Sequence, residues 1–138
     1  MKVDHVLEFE EIRHRLKGVS RDLPPIDLVV GIATGGVVPA GLLACELDKP
    51  LAVIHINYRA DDNSPQHPAP LLLSTSDLPQ KGKRVLLVDD VAVSGQTMEL
   101  ARRSLADRNV VTLVLKGDAD FSLFPELDGC VAWPWKSA

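Results

Sequence analysis

The stretch Val85-Leu86-Leu87-Val88-Asp89-Asp90-Val91-Ala92-Val93-Ser94-Gly95-Gln96-Thr97 decides how the rest of this chain reads. Its first four residues form a continuous apolar run, the pattern of a short strand buried on both faces. That run delivers two adjacent carboxylates to its carboxyl end. A loop with Ser94, Gly95 and Thr97 follows, and then Met98, Ala101 and Leu105 share one helical face. Backbone N–H groups at a helix start attract phosphate, and a glycine lets the chain approach it closely. Ser94 and Thr97 add hydroxyl donors. Carboxylates beside phosphate would repel it unless they face another part of the ligand. A ribose cis-diol suits them, because ionised Asp accepts hydrogen bonds from hydroxyls. Phosphate on one side and a diol on the other describe a ribose 5-phosphate, and the acids would also stabilise positive charge developing on the sugar ring. This reading requires the side chains of Asp89 and Asp90 to face a ligand rather than the protein interior. It also requires an anion-sized hollow beside residues 94–97.

Upstream, Phe9, Ile12, Leu16 and Val19 recur at helical spacing among charged residues, predicting an amphipathic helix closed by Pro24 and Pro25. Ile26–Ile32 reads as a buried strand, Ala33-Thr34-Gly35-Gly36 as a loop, Val37–Leu47 as a helix with Pro39 in its first turn, and Leu51–Ile56 as a second buried strand. From Asn57 to Lys83 the pattern dissolves among Pro65, Pro68, Pro70 and Pro79, and only Leu71-Leu72-Leu73 offers a short strand. A connection of that length in a compact domain is usually functional or mobile. Arg84–Asp89 and Val110–Leu115 complete the strands, and Lys116–Ala138 forms a tail. Buried strands alternating with helices predict an α/β fold: a single-domain parallel sheet flanked by helices, with ligands at the carboxyl ends of its strands. Both glycine loops, at 33–36 and 90–97, fall at such ends.

Composition narrows the classes. With 138 residues, one domain fits, and 46% apolar residues supply a core. Aromatics at 4% and a net charge of -4 with interspersed signs disfavour a nucleic-acid partner. Cys45 and Cys130 stand far apart, and His5, His14, His55 and His67 are scattered, so neither a disulfide framework nor a zinc site is expected. The start MKVDHVLEFEE has no apolar core of a signal peptide, and no apolar run reaches membrane-spanning length. The expectation is a cytoplasmic protein without a membrane partner.

Other motifs compete for the acidic strand end. Two aspartates after a strand can simply cap a helix. A receiver domain places its acids near the N-terminus and lacks Ser-Gly-Gln-Thr at this spacing. GxxxxGK[ST] is absent, and Gly31-Ile32-Ala33-Thr34-Gly35-Gly36 is not GxGxxG. The full segment from Val85 to Thr97 resembles the phosphoribosyl-pyrophosphate motif of type I phosphoribosyltransferases: a strand, two acids, three variable residues, then [ST]-G-x-[ST]. Gly31 to Ala40 is similar to that family's pyrophosphate loop and following helix. Trp133-Pro134-Trp135 resembles the aromatic-Pro-Trp ending of the small microbial xanthine-guanine and hypoxanthine enzymes.

The resemblance implies a Mg²⁺-dependent transfer of the phosphoribosyl group to a nitrogenous base, first of all a purine, as in nucleotide salvage. It implies Asp89 and Asp90 as the acids on the ribose hydroxyls, with Asp90 nearer the metal. Ala92, Val93, Ser94, Gly95, Gln96 and Thr97 would wrap the 5-phosphate; Thr34, Gly35 and Gly36 would meet pyrophosphate; Lys116 would contact the exocyclic oxygen of a 6-oxopurine. Residues 57–80, with Tyr58 and Arg59 near their start, would form a mobile lid, and 116–138 a small C-terminal hood, within one domain spanning 1–138. Relatives commonly assemble, so a homo-oligomer, a homodimer first, is expected. Three positions depart from the pattern. Val93 stands where 6-oxopurine enzymes usually carry an Asp that assists proton transfer; Thr34 stands where their pyrophosphate loop carries Arg or Lys; Cys130 stands where they stack an aromatic on the base. These departures motivate a second reading, a non-catalytic regulator that binds phosphoribosyl pyrophosphate or a nucleotide. Lys116 and Arg59 also read as ordinary solvated charges, and Trp133 as a packing residue.

Overall fold

The computed structural model describes residues 3–57, 71–74 and 83–136. In chain order its elements are β1 (His5–Val6), α1 (Phe9–Ser20), β2 (Leu28–Ala33), α2 (Val37–Leu47), β3 (Leu51–Asn57), β4 (Leu71–Ser74), β5 (Arg84–Ala92), α3 (Gln96–Ser104), β6 (Asn109–Gly117), β7 (Phe121–Ser122) and β8 (Val131–Ala132). A six-stranded sheet runs in the order β4-β3-β2-β5-β6-β7, and β1 pairs with β8 in a small second sheet. All the larger sheet's neighbours are parallel except the edge strand β4, which lies antiparallel to β3.

The apolar runs that made β2 and β5 legible bury them on both faces, and their side chains alternate between two cores. Val29, Leu86, Val88, Leu113 and Leu115 pack with Ile12 and Leu16 of α1, Leu43 of α2, and Phe124 and Trp133 of the tail. Val30, Ile32, Val85, Leu87 and Val114 pack on the other side with Met98 and Ala101 of α3 and with Leu105. Each fully buried Leu or Val contributes about 1.5–3 kcal/mol relative to exposure, so the centre of the sheet is the rigid platform. Helix α1 starts with a reciprocal cap, in which the Glu8 N–H donates to Glu11 Oε1 at 3.3 Å while the Glu8 side chain receives the N–H of residue 11. Helix α2 ends where Asp48 turns left-handed at φ 53°.

From β2 the chain steps to β3 on one side, whereas β5 steps to β6 on the other. The β2–β5 boundary is therefore the topological switch point, where open parallel sheets bind ligands. The loops after both strands open there. At the opposite ends of the same two strands, Arg84 forks onto Asp27 at 2.7 and 3.0 Å while its N–H donates to the same carboxylate at 2.9 Å. That pair fixes the register of β5 beside β2. Among the described residues no helix is long and apolar enough to cross a membrane.

Candidate functional site at the carboxyl ends of β2 and β5

Strand β5 runs three residues beyond the expected Asp89, to Ala92. Asp89 and Asp90 are strand residues with 8% and 7% exposure. The sequence reading had both carboxylates facing a ligand; here both are covered, and each has an oxygen tied to the next backbone N–H. Asp89 Oδ1 accepts from Asp90 N at 2.8 Å, and Asp90 Oδ1 accepts from Val91 N at 2.7 Å. Burial, then the Asp90 charge and the side-chain hydrogen bond with it, push the Asp89 carboxyl well above the usual carboxylate range; the Asp90 backbone N–H and Lys136 pull the other way.

Asp90 Oδ2 is buried and has no donor aligned for a hydrogen bond; the Lys136 ammonium lies 2.9 Å from it. The loop after β2 closes on the same carboxylate. A methyl on Gly35 would stand 2.5 Å from Asp90 Cγ, and one on Gly36 would stand 2.7 Å from Ile32 O and 3.0 Å from Asp89 Cα. Only glycine admits this approach of the two strand ends. The Gly36 N–H donates to Ile32 O at 2.8 Å and Val37 N–H to Thr34 O at 3.2 Å, folding the loop into the start of α2. The Ala33–Thr34 peptide is cis, and Thr34 itself is exposed.

Past the acids, the chain turns outward. Ala92 is half-buried, Val93 is 63% exposed, and Ser94, Gly95 and Gln96 are exposed, with Thr97 half-buried in the first turn of α3. Gly95, at φ 80°, is the residue from which α3 springs, and a methyl there would meet no described atom within 4 Å. Ser94 Oγ accepts the Gln96 N–H at 3.3 Å. The loop thus offers open backbone and a helix start beside the acid pair. A described cavity of about 410 Å³, lined by Arg102, Leu105, Arg108 and Val110, lies by the start of β6 and is not this site.

Lys116 stands in register with Val91, half-buried, one strand away from the acids. Trp133 is a packing residue, 4% exposed and set against Phe124 at 6.5 Å, with Trp135 stacked on it at 5.6 Å. Cys130 is half-buried and donates its N–H to Asp4 Oδ2 at 2.9 Å. Tyr58, Arg59 and nearly all of the proposed lid lie outside the described residues. The structure therefore joins 34–36, 89–90 and 92–97 into one place. Lys136 is the member that sequence reasoning missed; its only signal was a basic residue directly after Trp133-Pro134-Trp135.

Among the described residues no three acid, His or Cys side chains gather into a metal cage. Asp90 still suits magnesium, a hard cation usually held by one or two carboxylates together with substrate phosphates.

Comparison with known proteins gives the family and the fold. Residues 3–117 match the phosphoribosyl transferase domain family. An orotate phosphoribosyltransferase of Saccharolobus solfataricus is 39% identical over 94 residues, covering 68% of this chain and 43% of that protein. The transcriptional regulator GfcR of Methanocella arvoryzae is 38% identical over 84 residues, covering 60% of this chain and 41% of the regulator. A crystallised protein of Neisseria gonorrhoeae with bound ppGpp superposes with a TM-score of 0.77 at 26% identity, over 99% of this chain and 91% of the other. The chain spans less than half the length of these two relatives. With its switch-point site, its sheet order and a family match over most of its length, the chain belongs to the phosphoribosyl transferase domain family, with the type I fold.

Proposed function

We propose that this protein binds phosphoribosyl pyrophosphate with Mg²⁺ and transfers its phosphoribosyl group to a nitrogenous base, a purine first, releasing pyrophosphate and a nucleoside monophosphate in the cytoplasm. The observation that carries the reading is the packing of the Gly35-Gly36 loop onto Asp90, beside the exposed helix start at Ser94–Gln96. The main-chain amides and hydroxyls of Ser94–Thr97 seat the 5-phosphate. Asp89 and Asp90 hold the ribose hydroxyls once ligand opens the strand end, and their charge steadies the sugar cation as the bond to pyrophosphate lengthens. Thr34–Gly36 meet the departing pyrophosphate, Asp90 is the residue placed to hold magnesium, and Lys116 reads the base. Magnesium, when bound, offsets charge on the leaving group.

The purine preference is supported by the resemblance at Trp133-Pro134-Trp135 and by the purine nucleotide bound to the Neisseria protein. A second reading, a regulator that binds the same class of ligand without turnover, is favoured by Val93 and Thr34 and by the GfcR relative. Calorimetry with the magnesium complex of phosphoribosyl pyrophosphate, followed by product analysis over a panel of bases, separates them. Donor binding with a nucleotide product is the expected result. Donor binding with no product from any base would leave the regulator, and no binding at all would remove both. Lys116→Ala should relax selectivity among bases; unaltered selectivity would make that lysine an ordinary strand-end charge.

A further inference from the structure

We propose that Lys136 is a positioning residue of this site: a tethered cation that supplies the counter-charge at Asp90 and keeps a divalent metal off that carboxylate until metal arriving with the ligand displaces it. Its ammonium lies 2.9 Å from Asp90 Oδ2, and the Asp90 side chain is 10% exposed against 44% for Lys136. A carboxylate so covered is expensive to leave uncompensated. The neighbouring loop offers no charge of its own: Gly35 has no side chain and Thr34 is neutral. The cation comes instead from the far end of the chain.

Its placement is built rather than incidental. The Lys136 N–H donates to Trp133 O at 3.1 Å, closing a turn. Trp133 is buried against Phe124, and Trp135 stacks on Trp133 with rings 5° from parallel. Just before that turn, Val131 and Ala132 pair with His5 and Val6. The backbone from which Lys136 reaches is therefore fixed, and only its flexible four-carbon stem must move for Asp90 to change partner.

Metal and ammonium exclude each other here. Oδ2 is buried in this arrangement with the Lys136 ammonium against it, so an ion held about 2.0–2.1 Å from Oδ2 would stand beside a second positive charge. Like charges at such separations repel strongly in a covered site. Lys136 thereby sets how far ligand binding depends on metal, which for the ligand part rests on the phosphoribosyl reading above.

Manganese serves as a paramagnetic probe on the ligand-free protein, read from broadening of the Val91 and Gly35 amide resonances. Lys136→Met should broaden them at manganese concentrations about tenfold lower than wild type. Lys136→Arg should behave as wild type, and Lys136→Met with Asp90→Asn should lose the effect. Equal titrations for wild type and Lys136→Met, or broadening that survives Asp90→Asn, would overturn the proposal. A second measurement uses ribose 5-phosphate with and without Mg²⁺. Affinity should fall about tenfold in Lys136→Met without metal and recover with it; a metal dependence equal to that of wild type overturns the proposal as well. If ribose 5-phosphate binds no variant while the manganese pattern holds, the phosphoribosyl reading fails and the role of Lys136 at Asp90 stands.

Discussion

Gly35 lies flat against the carboxylate of Asp90, so close that a methyl there would stand 2.5 Å from Asp90 Cγ. Through this contact the loop after β2 and the end of β5 form a single structure, although their residues are far apart in sequence.

Gly35→Ala should therefore push Asp90 from its place, costing about 1–3 kcal/mol as overpacking does and weakening sugar-phosphate binding about tenfold or more. Gly36→Ala should cost at least as much, since its methyl would meet the Ile32 carbonyl oxygen at 2.7 Å, a backbone atom with little freedom to yield. Gly41→Ala is the contrast: nothing lies within 4 Å of that site in α2, and replacing a helix-interior glycine should stabilise by roughly 0.5–1 kcal/mol. Urea denaturation of the three variants reads the stabilities, and calorimetry with ribose 5-phosphate reads the binding.

Asp89→Asn should stabilise the fold while weakening donor binding. The Asp89 carboxyl is raised mainly by burial and by its acidic neighbour, so the folded protein holds this proton more tightly than the unfolded chain. Its ionisation costs stability that begins to be lost as pH rises past the ordinary carboxylate range near pH 4. The advantage of the asparagine variant should be absent in acid and grow toward neutral pH. Melting temperatures should show it, with about 4 °C for each kcal/mol. An unchanged Tm difference from acid to neutral pH would contradict the upward shift of the Asp89 carboxyl.

Asp27 should behave in the opposite sense. The side-chain hydrogen bond from Arg84, then its backbone N–H, hold the Asp27 carboxyl far below its ordinary value. Its contribution is present above the unfolded value near 4 and is lost as pH falls below that toward the depressed folded value. Wild type should melt above Asp27→Asn at neutral pH, and the two should converge in strong acid. A gap that stays constant would show that the pair acts by shape rather than charge.

Val93→Asp tests the base. Val93 is 63% exposed, so the change should leave stability within about 0.5 kcal/mol. If the acceptor is a 6-oxopurine, an acid here should raise turnover with guanine or hypoxanthine, by up to about 10²-fold given what general acid–base groups contribute. No gain with either base, alongside turnover of adenine or orotate, would move the acceptor to those bases.

What the sequence disclosed tracks where local pattern alone decides structure. Val37–Leu47 emerged with the expected bounds because its apolar helix is closed at both ends by turn-forming residues. Val85–Val88 was legible as a run buried on both faces, and it is. Leu71–Leu73 does pair, but antiparallel at the sheet edge, a choice made by the neighbour β3 rather than by three leucines. Asp90–Ala92 read as loop because acids rarely continue a buried strand; here β2 pairs no further than Val88, and pairing with β6 through Val91 and Ala92 keeps them extended. The two-residue strands His5–Val6, Phe121–Ser122 and Val131–Ala132 are too short to show periodicity. The two glycine loops were placed at one site by strand logic, whereas Lys136 reaches it through the tail's tertiary path, which no local spacing encodes. The lid with Tyr58 and Arg59 falls outside the described residues, so its place rests on the resemblance alone.

The pairing of His5 with Val131 and Val6 with Ala132 has a mechanical corollary. Asp4 and His5 both donate their N–H to Cys130 O, and the His5 ring reaches Asp128 O at 2.8 Å, so the first described strand acts as a clasp on the segment that carries Trp133 and Lys136. Peeling that clasp away, by a bulky fusion or a proteolytic nick, should slacken the arm whose tip touches Asp90, so that an event at the first described strand reaches the carboxyl end of β5.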